Sequence, residues 1–76
     1  MHVLKNIGEV KMKVKYIGES FYDGLGLTNG KIYEVLEEDG SFYRIIDDSQ
    51  EDYLYSKDNP APLDGSSKGG RWKIID

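Results

Sequence analysis

Residues 31–48 read KIYEVLEEDGSFYRIIDD, and the alternation in this stretch decides the fold. Tyr33 and Val35 alternate with Ile32, Glu34 and Leu36, and Tyr43 and Ile45 alternate with Phe42, Arg44 and Ile46. A period of two on both sides of a glycine predicts a β-hairpin, with strands over 32–37 and 42–47. The turn at Asp39-Gly40 admits two registers. A two-residue turn pairs Glu38 with Ser41 and sets Glu34 against Ile45. A three-residue turn with Gly40 left-handed pairs Val35 with Tyr43, Tyr33 with Ile45 and Glu34 with Arg44. The second register matches apolar with apolar and acid with base on each face, so it is the expected one. Both faces of the hairpin then carry apolar residues, which predicts that part of the outer face is covered.

Beyond this hairpin, the same period predicts a first strand over 10–17 and a short fourth strand over 52–55. A fifth follows over 71–75. The first connection, 18–30, is rich in glycine, and the last, 59–70, is rich in Pro, Gly and Ser. No helical period is present. The expectation is one all-β domain over 10–76, preceded by an N-terminal extension over 1–9.

Composition narrows the function classes. The chain has 76 residues, 14 acids against 10 Lys and Arg, and no cysteine. Disulfides, thiolate metal sites and thiol catalysis are therefore excluded. The single histidine, His2, lies near the end of the chain. No serine sits in a nucleophile motif, and no facing carboxylate pair is evident, so an enzyme is not expected. Neither an apolar run long enough for a membrane span nor a secretory leader is visible, which predicts a cytoplasmic protein without membrane contact. The net charge of −4 makes general binding of phosphate backbones unfavourable. Lys11, Lys13 and Lys15 alternate with Met12, Val14 and Tyr16, as the wet face of a half-buried strand would. No cofactor is implied.

Three groups of residues are candidates for function. Phe21 and Tyr22 lie in a loop expected to face solvent, where aromatics can anchor a protein partner or fold back over the core. Asp47, Asp48, Glu51 and Asp52 crowd the second hairpin turn. Their spacing does not fit a calcium loop, so they are read as turn residues and as an acidic surface for a partner. The segment Lys68-Gly69-Gly70-Arg71-Trp72 combines backbone freedom, two cations and a stacking ring. It is the alternative site, for a small nucleotide or nucleic acid, with a plain linker as the simpler reading.

The order of a long loop, three strands joined by tight hairpins, an irregular link and a last strand resembles an SH3-like barrel. Within it, residues 27–35, 43–48 and 51–55 are similar to the LTxGKxYEV and YxIxDDxGEDYLY patterns of small SH3-like proteins from Gram-positive bacteria and their phages. The resemblance implies a five-stranded barrel with a Pro/Gly/Ser-rich loop before the last strand. It also implies a small intracellular interaction module that, if phage-encoded, modulates or inhibits a host protein. The chain departs from the pattern at Gln50, where the family has glycine, and a left-handed residue there would be strained. The tryptophan that opens the third strand in polyproline-binding SH3 domains is absent, so no polyproline site is carried over.

Overall fold

The computed structural model describes residues 12–75; the extension over 1–9 and the first residues of the expected first strand lie outside them. Five strands form: β1 (Lys13–Gly18), β2 (Ile32–Asp39), β3 (Phe42–Ile46), β4 (Asp52–Ser56) and β5 (Gly70–Ile75). They make one antiparallel sheet in the order β4-β3-β2-β1-β5. No helix is present among the described residues.

The alternation read from the sequence sets the core. Val14 and Tyr16 of β1, Tyr33 and Val35 of β2, and Tyr43 and Ile45 of β3 all turn inward and are buried together with Leu27. Met12, Phe21, Tyr55 and Trp72 pack against this cluster. Each such side chain contributes about 1.5–3 kcal/mol on burial. Four of the eleven residues are tyrosines, so the core is largely aromatic, and their hydroxyls need partners at its rim.

β2 serves two ladders. Its first half pairs with β1, Val14 opposite Tyr33, and its second half pairs with β3. The hairpin register differs from both expected ones. Asp39 lies opposite Phe42, Glu38 opposite Tyr43 and Glu37 opposite Arg44, so Gly40-Ser41 is a two-residue loop. Gly40 has φ 62° as expected, while Ser41 is not left-handed, which is the type II′ pattern. A bulge at Leu36 then shifts the ladder by one residue and brings Val35 opposite Ile45. The bulge keeps Val35 in the core while Arg44 takes Glu37, at 3.0 Å, in place of the expected Glu34. The outer face is also barer than expected: Ile32, Leu36, Phe42 and Ile46 stay 41–47% exposed.

The sheet curls but does not close. No Cα of β4 comes within 8 Å of one in β5. One side chain spans the gap, because the Trp72 indole N–H donates to the Ser56 carbonyl at 3.1 Å.

The turn from β3 to β4 is held by Gln50 N–H to the Asp47 carbonyl, 2.9 Å, and by Asp47 N–H to the Glu51 carbonyl, 3.1 Å. Gln50 has φ 71°, the single left-handed non-glycine among the described residues. A β-carbon in this region is unfavourable by about 1–2 kcal/mol. Gln50→Gly should therefore stabilise the fold by about 1 kcal/mol after the extra chain entropy of glycine is subtracted. Chemical denaturation checks this, and a lower midpoint in the glycine variant would refute it.

Candidate interaction surfaces

The acidic turn divides by direction. Asp47 is 4% exposed. Its carboxylate accepts from Tyr55 Oη at 2.6 Å, from Ser49 N–H at 2.9 Å and from the Ser49 hydroxyl. Asp48 accepts from Lys31 Nζ at 2.6 Å, Thr28 Oγ1 at 2.7 Å and Tyr33 Oη at 3.0 Å. Burial of Asp48 opposes its charge, but these three donors outweigh burial and hold its carboxyl below the ordinary carboxylate range. Burial raises the Tyr33 phenol to about 12, with Asp48 adding to the effect. Burial raises Tyr55 as well, helped by Asp47. Both aspartates are thus acceptors for core tyrosines, and they tie the turn to the loop at Thr28. Glu51 and Asp52 are both exposed but turn to opposite faces: Glu51 accepts from Tyr53 Oη at 3.0 Å and Asp52 pairs with Arg44 at 3.2 Å.

The two loop aromatics also separate. Phe21 folds back over the core, edge-on to Tyr16 and Tyr55 with ring centroids 6.1 Å away in each case. A β-carbon on Gly26 would run into the Phe21 ring, so the loop closes over it only with glycine there. Tyr22 stands 90% exposed.

The segment 68–72 is built into the fold. Glu19 reaches across from the β1–β2 loop and accepts from Lys68 N–H at 2.7 Å. That bond, together with Ser67, lowers the Glu19 pKa. Gly69 N–H donates to Ser67 Oγ at 3.0 Å and Gly70 N–H to Asn59 Oδ1 at 3.0 Å. The backbone donors that an anion would need are already turned toward a carboxylate, a hydroxyl and an amide of the same chain. Gly18 and Gly70 lie opposite each other, and a β-carbon on either would collide with the facing backbone. Trp72 faces inward, edge-on to Tyr16, Tyr33, Tyr43 and Tyr55 at 5.7–6.4 Å. Of this group, only Lys68 and Arg71 are exposed.

A surface that no motif announced lies on the outer side of β2–β4. Arg44 is fixed there between Glu37 and Asp52, both of which raise its pKa. Around it stand Phe42, Ile46 and Leu54, each 43–45% exposed. The pairing explains the grouping: Leu54 lies opposite Arg44, one step diagonally from both Phe42 and Ile46. The signal in the sequence was the apolar residue at every second outward position of the hairpin. Asp39, opposite Phe42, extends the acidic border of this face.

Comparison with protein-family models, curated proteins and solved structures finds no match to the chain.

Proposed function

We propose that this chain is a small protein-interaction module of SH3-like architecture that docks a partner on the outer face of β2–β4. One observation carries the reading: Phe42, Ile46 and Leu54 are exposed together around a charge-clamped Arg44. An apolar patch with a polar rim is how protein interfaces are built. The acidic border at Asp39 and Asp52 favours a partner with an apolar centre and a basic rim, captured faster through charge steering. Tyr22, free on the β1–β2 loop, supplies a further exposed anchor. The strand order and the curl of the sheet support an SH3-like barrel whose edges are linked through Trp72. The resemblance in the 27–55 region adds that the setting is intracellular, and that a phage-encoded chain would modulate or inhibit a host protein.

The nucleotide reading has less behind it, since the donors of 68–70 are internally satisfied and Trp72 is packed.

The test is capture of partners from host lysate, followed by binding measurements with surface variants. Phe42→Ala with Leu54→Ala should weaken binding by about tenfold or more, as truncated interface anchors do. Their melting temperature should change little. Neutralising Asp39 and Asp52 should slow association, and added salt should mask that effect. Saturable quenching of Trp72 by micromolar nucleotide, lost in Arg71→Ala, would replace this reading with the nucleotide one.

A further inference from the structure

The cations of the described chain are not evenly spread. Lys31, Arg44 and Lys57 each pair with an acid. Lys13, Lys15, Arg71 and Lys73 make no ion pair among the described residues, and the β1–β5 register gathers them on one outer face. Lys15 lies directly opposite Lys73, Ile17 opposite Arg71 and Lys13 opposite Ile75. Like charges set opposite each other in a sheet are unfavourable. Among the described residues, Glu34 lies opposite Lys13 at the end of this strip.

β5 is also an edge of the sheet formed by the described residues. The phase of its ladder follows from Glu19 N–H, which donates to the Gly69 carbonyl at 3.0 Å. Bonded pairs recur at every second residue of an antiparallel ladder. Arg71, Lys73 and Ile75 therefore turn their backbone groups toward β1, and Trp72 and Ile74 turn theirs away. The same phase fits the other side of β1, where Tyr16 N–H donates to the Lys31 carbonyl at 3.0 Å and the Tyr16 carbonyl accepts from Gly30 N–H at 2.7 Å. No partner for the backbone groups of Trp72 or Ile74 is found among the described residues. Ile74 is 57% exposed on the inner side of this edge.

We infer that β5 accepts an extended acidic segment of another protein as a sixth strand. The added strand bonds the free backbone groups of Trp72 and Ile74. Its carboxylates, two residues apart, meet Arg71 and Lys73, which have the same spacing. The residues between them are apolar and pack beside Ile74. The exposed lysine and arginine would repel neutral or basic strands from this edge and admit an acidic one. A nucleic acid fits less well, because the strip carries isoleucines and no outward aromatic on which bases could stack. This site is separate from the outer face of β2–β4, and its partner has the opposite charge.

The probe is a short capped peptide alternating glutamate with valine, titrated into the full chain while backbone amides are followed by NMR. The expected result is sub-millimolar binding that slows hydrogen exchange at Trp72 and Ile74. Arg71→Glu with Lys73→Glu should weaken it at least tenfold, and Phe42→Ala with Leu54→Ala should leave it unchanged. The same peptide N-methylated along its bonding edge should not bind. No binding, equal binding of the methylated peptide, or tighter binding of an oligonucleotide of equal charge would each overturn the inference.

Discussion

Trp72→Ala should leave most of the chain unfolded at 25 °C. The ring touches four tyrosines edge-on, one each from β1, β2, β3 and β4. It is thus a side chain that every other strand meets. Truncating a core tryptophan costs about 3–5 kcal/mol. A domain this small holds a margin of about 5 kcal/mol. The indole N–H to Ser56 is also lost, and with it the side-chain link between the two sheet edges. Trp72→Phe should be milder, at about 1–2 kcal/mol, because it keeps ring contacts and removes the N–H. Urea unfolding with a far-ultraviolet readout checks both. A Trp72→Ala protein that melts within a few degrees of the parent would show that the ring is not central to the core, since one kcal/mol shifts a domain of this size by about 4–8 °C.

The strands were legible because burial on one face enforces a period of two. Val14 with Tyr16, and Tyr43 with Ile45, could not be placed otherwise. The hairpin register was not legible, and the cause lies in Val35-Leu36. Two adjacent apolar residues let either one face the core, and Glu34 and Glu37 are equally good partners for Arg44. The choice was made by a bulge at Leu36, which pairwise matching along regular strands cannot represent. Gln50 was legible because its left-handed φ answers to a glycine in the resembling pattern.

The candidate sites were harder to read. Asp47 and Asp48 looked like surface charge because nothing local shows that Tyr55 and Tyr33 place hydroxyls beneath them. A signal was there: six tyrosines in a small all-β chain need acceptors at the core rim, and aspartates in the turn beside them can serve. The cationic strip was beyond local reading. Lys15 and Lys73 meet only through the β1–β5 pairing of the two ends of the domain, so the first run reads alone as the wet face of a strand and the last as mildly basic. Glu19 was missed for the same reason, since its partner Lys68 belongs to a distant loop.

Asp48→Ala should destabilise the fold by about 2 kcal/mol at neutral pH, because hydrogen bonds to a charged acceptor are among the strong ones. Three donors lose their acceptor. Lys31 Nζ is half exposed and regains water, whereas the Tyr33 hydroxyl keeps only the Thr28 N–H, at 2.8 Å, as a partner. The effect has a pH signature. The folded pKa of Asp48 lies below its unfolded value, so protons bind the unfolded chain more readily. Its stabilisation is whole above the unfolded pKa of about 3.9 and fades as pH falls through the lower folded value. The gap between parent and variant should therefore be constant from neutral pH down to about 4 and shrink below it. Taking the difference removes the other acids, which titrate alike in both proteins. Lys31→Met should reproduce part of this behaviour by removing one donor while Thr28 and Tyr33 remain. Denaturation midpoints across this acid range decide the matter: parallel curves would mean that Asp48 contributes packing alone and that its charge does not hold the turn to the core.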